Sequence, residues 1–86
     1  MIIYVRLRYT LIGTEMRETS RTNYSSYEKA KLAVKEYVED FECHIDKEQE
    51  YLDTNGNVLY EIHLSWDSYG GHKNKEIVKI KREYVY

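Results

Sequence analysis

The stretch Val58–Asp67, VLYEIHLSWD, decides the fold of this chain. Every second residue from Val58 to Trp66 is apolar, and most of the positions between them are polar. This two-residue period predicts a strand that places one face against a core. The turn-forming residues 69–72, YGGH, follow it, and a second alternating strand is predicted from Lys75 to Tyr86.

The segment before this strand carries a hairpin signal at Asn55-Gly56. This signal predicts a short strand near Gln49 to Asp53 that pairs with the strand beginning at Val58. Residues 42–50 are mostly polar, and we expect them to form the loop that leads into this part of the sheet.

The N-terminal residues predict a hairpin. Ile2 to Ile12 alternates as a strand. Its apolar face carries Ile3, Val5, Leu7, Tyr9 and Leu11. Its other face carries Tyr4, Arg6, Arg8 and Thr10. Gly13-Thr14 predicts a tight turn, and Glu15 to Thr22 is polar enough to suit an edge strand.

A helix is predicted after this hairpin. Ser25 and Glu28 have the spacing of a capping box. Apolar residues then recur at intervals of three and four, which indicates one amphipathic face. That face carries Tyr27, Ala30, Ala33, Val34, Tyr37, Val38 and Phe41. The order ββαβββ therefore predicts one α+β domain over residues 1–86, with the helix on one face of a small, mostly antiparallel sheet.

Composition narrows the class of protein. The 86 residues allow one domain, and 42% hydrophobic residues are too many for a disordered chain. The lone Cys43 excludes an intramolecular disulfide and favours a reducing compartment. Residues 1–8 lack the features of a signal peptide, and no apolar run approaches the roughly 20 residues that span a bilayer. We therefore expect a cytoplasmic protein with no membrane contact.

Motifs for chemistry are missing from the sequence. Cys43, His44, His63 and His72 do not have the spacing of a metal site. The adjacent Cys43-His44 pair does not by itself give catalytic geometry. Gly70-Gly71 lacks the pattern of a phosphate-binding loop. We therefore expect a protein that is not an enzyme and has no metal or cofactor.

Charge is the strongest functional signal. Between Glu36 and Asp53, eight acidic residues and one lysine give a net charge of −7, whereas the whole chain carries −2. Such a carboxylate array can compete for a basic groove that otherwise binds phosphates. The ten tyrosines of the chain fit a protein interface. The predicted partner-binding residues are Glu36, Glu39, Asp40, Glu42, Asp46, Glu48, Glu50 and Tyr51.

A basic and aromatic sheet face is the alternative working surface. The face turned away from the helix is expected to carry Tyr4, Arg6, Arg8, His63, Lys79 and Lys81. Such a face is typical of platforms that bind single-stranded nucleic acid. Because the chain is acidic overall, with a pI near 5.9, direct binding of nucleic acid is the second choice.

The small size, the proline-free composition, the single helix on a sheet and the acidic stretch Glu36–Asp53 resemble small phage-encoded proteins that inhibit host defence systems, such as anti-CRISPR proteins. The resemblance implies a stoichiometric inhibitor that occupies the nucleic-acid or PAM-reading site of a nuclease, or blocks its conformational change. The expected partner is a larger host protein, such as a nuclease or its complex, in the host cytoplasm. Formation of a homodimer is left open.

Overall fold

The computed structural model describes residues 1–51 and 57–86, which form five strands and one helix. The strands are β1 (Ile2–Ile12), β2 (Glu15–Tyr24), β3 (His44–Glu50), β4 (Val58–Asp67) and β5 (Lys73–Tyr84). The helix α1 (Tyr27–Glu39) lies between β2 and β3 in the chain. All strand pairs are antiparallel, and the sheet order is β2-β1-β5-β4-β3. The predicted ββαβββ order and α+β class are confirmed.

The strand boundaries agree with the sequence pattern where apolar alternation is strong. The predicted bounds of β4 are confirmed, and β1 and β2 meet at the predicted Gly13-Thr14 turn, where Gly13 has a φ of 65°. β5 begins and ends two residues earlier than predicted. The expected Asn55-Gly56 turn and the end of the expected strand at Asp53 lie outside the described residues.

The expectation that residues 42–50 form a loop is wrong, because His44–Glu50 is strand β3. All seven of its side chains are exposed, so it shows no apolar alternation. Its hydrogen-bonding partner is β4, with Glu48 opposite Ile62 and Glu50 opposite Tyr60. A polar edge strand of this kind is defined by its pairing, which the local sequence does not reveal.

The cap of α1 lies one residue later than predicted. Ser26, with extended φ and ψ of −144° and 156°, accepts a hydrogen bond from the backbone N–H of Lys29 at 3.2 Å. Ser25 instead accepts from Lys29 Nζ at 3.1 Å. Tyr24 still pairs with Tyr4 in the sheet, so Ser25 is needed to leave the strand and Ser26 becomes the cap. Among the described residues, no helix has both the length and the apolar composition that crossing a membrane requires.

The main core lies between α1 and one face of the sheet. Ala30 and Val34 of the helix contact alternate residues of the two strands β4 and β5. These sheet residues are Tyr60, Ile62, Leu64, Val78 and Ile80. The predicted apolar face of the helix is confirmed, with Tyr27, Tyr37 and Val38 packed at the margins of this core.

β1 faces the helix with its polar side, which contradicts the expected orientation. Arg8 lies opposite Val78 and Arg6 opposite Ile80, so both arginines share the face that α1 covers. Arg8 lies 5.3 Å from the centre of the Tyr37 ring and 3.8 Å from the carboxylate of Glu76. The buried Glu76 gives Arg8 a charged partner beneath the helix, so the polar side of β1 can be covered.

The apolar side of β1 lies on the open face and is shielded by long charged side chains. Val5 and Leu7 are 0% and 1% exposed, although no helix covers them. Arg21, opposite Leu7, reaches Glu83, opposite Ile3, at 3.5 Å. This ion pair spans β1 above Val5, and its aliphatic stems shield the apolar surface.

Candidate partner-binding groove

A groove runs between α1 and β3, on the helix side of the sheet. One part of it has a volume of about 250 Å³. The residues around this part are Val34, Lys35, Val38, Glu39, Ile45, Glu48, Tyr60 and Ile62. Its floor is apolar, and Glu39 of the helix and Glu48 of the strand lie at its rim. We call this feature the α1–β3 groove.

The groove continues toward the start of the helix. Lys35 also lines a second depression with Lys31 and Glu50. Glu50 and Tyr27 in turn line a third depression with Tyr51. The three depressions share lining residues and follow one another along α1 and β3, and the last of them is aromatic.

The carboxylates of β3 that face the helix are held by tyrosines and a lysine. Glu50 accepts hydrogen bonds from Lys31 Nζ and from Tyr27 Oη, both at 2.6 Å. Tyr60 donates a hydrogen bond to Glu48. These contacts join helix, edge strand and core, and they set the positions of two acidic side chains along the groove.

Electrostatics follow from these contacts. The hydrogen bonds from Lys31 and then Tyr27 lower the pKa of Glu50 below its usual range. Burial, followed by the hydrogen bond to Glu50, raises the pKa of Tyr27. Burial and the hydrogen bond to Glu48 raise the pKa of Tyr60 in the same way. Both tyrosines therefore stay protonated as donors, and Glu50 stays ionised.

Five other predicted acids are exposed and make no salt bridge with any residue in 1–51 or 57–86. They are Glu36, Glu39, Asp40, Glu42 and Asp46. Three of them end the helix, whose last turn contains no basic residue. The carbonyl end of a helix is negative, so acids there cost about 0.3–1 kcal/mol each in stability.

The predicted acidic residues do not all share one surface. Glu39, Glu48 and Glu50 line the α1–β3 groove. Glu36 and Asp40 lie roughly 60° and 100° around the helix axis from Glu39. Together with Glu42 in the following connection, they extend the acidic surface beyond the rim of the groove.

Asp46 and Tyr51 lie at the margins of this surface. The β3 register shifts between Ile45 and Lys47, so Asp46 is the extra residue of a bulge. Asp46 lines a separate cleft with His44 and Lys75, away from the groove. Tyr51 lines the aromatic end of the groove, and its hydroxyl donates to Gln49 at 3.3 Å.

The expected basic sheet face is divided between the two sides of the sheet. Tyr4, Arg6 and Arg8 lie on the helix side, as their register with β5 requires. The open face keeps His63, Lys79 and Lys81. The expectation of one continuous basic and aromatic platform is therefore wrong.

Much of the remaining open-face charge is paired. Glu61 lies 2.9 Å from His63 Nε2, 3.6 Å from Lys79 Nζ and 3.7 Å from Lys47 Nζ. These neighbours, the His63 hydrogen bond foremost, lower the pKa of Glu61. Lys79 also lies 5.5 Å from the centre of the Tyr9 ring. Only part of the positive charge on this face is left for phosphates.

The histidines and the cysteine do not converge. Cys43 packs against the core beneath the helix, whereas His44 pairs with Ser65 and lines an open cleft. Burial raises the pKa of the Cys43 thiol, and the negative charges of Glu76 and Asp46 raise it further. Within the part of the chain that the structure describes, no three His, Cys, Asp or Glu residues form a metal-binding group.

Several residues of the groove were missed by the sequence pattern. Lys31 is not part of the predicted apolar helix face, and Ile45 lies in the predicted loop 42–50. Val38 and Tyr60 were assigned to the core without a groove beside them. The four-residue spacing of Tyr27, Lys31 and Lys35 along one flank of α1 is a usable signal, but Glu50, which Tyr27 and Lys31 contact, is 19 or more residues away in sequence.

Comparisons of the chain with protein families, curated proteins and solved structures gave no match.

Proposed function

We propose that the protein binds a larger, basic protein through the α1–β3 groove and the acidic end of α1, and that it acts as a stoichiometric inhibitor. The observation that carries this proposal is the group of exposed carboxylates at the C-terminal end of α1, which have no ion-pair partner among residues 1–51 and 57–86. Charges of this kind lower the stability of the helix and raise the attraction to a basic surface.

The groove supplies what charge alone does not. Carboxylates attract a basic surface over a distance, but specific binding needs a desolvated centre with aromatic or aliphatic anchors. Val38, Ile45 and Tyr60 form such an apolar floor beside the rim acids. Tyr27 and Tyr51 provide aromatic surface at the far end.

The class of partner follows from the charge and from the resemblance to anti-CRISPR proteins. A protein that handles nucleic acid presents lysines and arginines to phosphates, and an ordered carboxylate surface can occupy the same groove. We therefore propose a phage-encoded inhibitor of a host defence nuclease, such as a CRISPR effector, as the specific form of this function.

Capture from a host cell extract tests the proposal. The wild-type protein is compared with the double variant Glu39→Lys/Asp40→Lys and with Glu15→Lys/Glu18→Lys as a control of equal charge change at the far hairpin. We expect nucleic-acid-handling proteins to be retained by the wild type and by the control and lost by the Glu39/Asp40 variant.

A second step measures inhibition. The captured protein is purified and its nucleic-acid binding is titrated with the wild-type inhibitor, with saturation expected at a fixed molar ratio. Equal capture by the wild type and both variants, or a captured protein whose nucleic-acid binding is unaffected, would contradict the proposal. Salt-dependent binding of single-stranded DNA or RNA by the isolated protein would instead favour the open sheet face.

A further inference from the structure

β3 is the last strand in the sheet order, and it is bonded to β4 along one side. Its outer side pairs with no other strand among the described residues. The bulge at Asp46 bends the first part of this edge. The regular edge that remains is Lys47–Glu50, followed by Tyr51, whose N–H bonds to Leu59 O at 2.9 Å.

The bond from Tyr51 to Leu59 identifies which backbone groups point outward. In an antiparallel pair, hydrogen-bonded and non-hydrogen-bonded residue pairs alternate. Tyr51 is hydrogen-bonded to β4, so Gln49 and Lys47 are too. The N–H and C=O groups of Glu48 and Glu50 therefore point away from β4, toward the free edge.

The same two residues direct their carboxylates to the helix side. Glu48 is bound by Tyr60, and Glu50 by Tyr27 and Lys31. A carboxylate has about four acceptor positions, so each can accept a further donor. A strand added at this edge would place two of its side chains, two residues apart, directly beside Glu48 and Glu50.

We infer that Lys47–Tyr51 accepts an extended segment of the partner by β-strand addition, with lysine or arginine at positions i and i+2 of that segment beside Glu48 and Glu50. This inference rests on the proposed function, since it names the part of the basic partner that binds. The main chain of the partner segment would form hydrogen bonds with the outward N–H and C=O groups of Glu48 and Glu50. The carboxylates of the same two residues would select the basic side chains of the segment.

Proline at position 48 separates the main-chain contact from the charge. Glu48→Pro removes an N–H that points outward and leaves the bonds to β4 intact, and proline is tolerated on edge strands for this reason. Glu48→Gln removes the charge and keeps the N–H. The difference between the two variants contains the main-chain hydrogen bond and the acceptor for Tyr60 that glutamine keeps, and an N-methylated peptide isolates the main-chain part.

The probe is a short peptide, acetylated and amidated at its ends, in which lysine and threonine alternate. A second peptide of the same sequence is N-methylated at each lysine, the residues expected beside Glu48 and Glu50. Binding is followed at low ionic strength by ¹H–¹⁵N NMR, with hydrogen exchange of the backbone amides. We expect the unmodified peptide to slow exchange at Glu48 and Glu50. Glu48→Pro should bind it about tenfold more weakly than Glu48→Gln does, and the N-methylated peptide should bind correspondingly weakly.

The outcomes separate this inference from the proposed function. Equal affinities for Glu48→Pro and Glu48→Gln, undiminished binding of the N-methylated peptide, or no binding of the unmodified peptide would overturn β-strand addition. Protection of Glu48 and Glu50 that rises with protein concentration in the absence of peptide would also overturn it, because the occupant would be a second copy. In each case, capture of a basic host protein that depends on Glu39 and Asp40 would still support the proposed function.

Discussion

The two halves of α1 differ in how their charges are used. In the first half, Ser26 caps the helix, Glu28 lies in the favourable first turn, and Lys31 binds Glu50 of β3. In the second half, Glu36, Glu39 and Asp40 lie at the negative end of the helix, and the last turn has no base. The cap and Glu28 of the first half therefore favour the helix, whereas the charges of the second half oppose its dipole at some cost in stability.

The largest expected effect comes from removing this difference, by giving the second half of α1 the basic residues that suit the C-terminal end of a helix. Glu39→Lys/Asp40→Lys should raise the free energy of unfolding by about 1 kcal/mol, because lysines suit the C-terminal end of a helix. The same variant should lose at least about tenfold in affinity for the basic partner.

Urea unfolding measures the expected gain in stability, and a binding titration of the same samples measures the expected loss of affinity. The variant Glu15→Lys/Glu18→Lys is the control for total charge. Lower stability, or higher stability with unchanged affinity, would contradict the assignment of this helix end to binding.

The next effect concerns the cap of the first half. Ser26→Ala should lower the free energy of unfolding by about 1 kcal/mol, because the N–H of Lys29 loses its acceptor. Ser25→Ala is the matched control, since the hydrogen bond of its hydroxyl within the described part of the chain is an exposed one from Lys29 Nζ. The denaturant midpoints of the two variants show which serine caps the helix. A larger loss of stability for Ser25→Ala would identify Ser25 as the cap, as the sequence predicts.

Smaller effects of opposite sign sharpen the comparison. Glu28→Gln should destabilise the protein by about 0.3–1 kcal/mol, and Glu39→Gln should stabilise it by a similar amount, because the two charges lie at opposite ends of the helix dipole. Added salt should reduce both changes. If the unfolding free energy changed in the same direction in both variants, the helix dipole would not be the cause of these changes.

The smallest effect concerns the link between the first half and β3. The pKa of Glu50 is lower in the folded protein than in the unfolded chain, where it is about 4.3. Its ion pair therefore stabilises the protein fully at pH values above about 4.3, and this stability is lost as the pH falls through the pKa of the folded state. Lys31→Met should raise the pKa of Glu50 and reduce this dependence on acid. NMR titration of the Glu50 carboxyl carbon measures the change, and Lys35→Met, which removes only the weakest of the causes, should raise this pKa less. A Glu50 pKa that is the same in Lys31→Met and wild type would show that Lys31 does not hold it.

The elements with strong periodicity could be predicted from the sequence, and those without it could not. The alternation of Val58–Asp67 and the apolar face of α1 arise because each element buries one side. β3 has no buried side, so its seven exposed residues resemble a loop. The acidic stretch was visible as composition, but its division among the groove, the helix end and the Asp46 bulge depends on the register of β3.

The sequence by itself determined the α+β class, the helix face, the bounds of β4 and the concentration of acid near residue 40, because these follow from local spacing and charge. Only the tertiary structure decided which side of β1 faces α1. Alternation defines two faces but does not say which one is covered, and here the buried Glu76 and the Tyr37 ring place Arg8 beneath the helix. The α1–β3 groove was likewise decided by tertiary structure, because its walls meet through contacts between residues distant in sequence, such as Lys31 with Glu50.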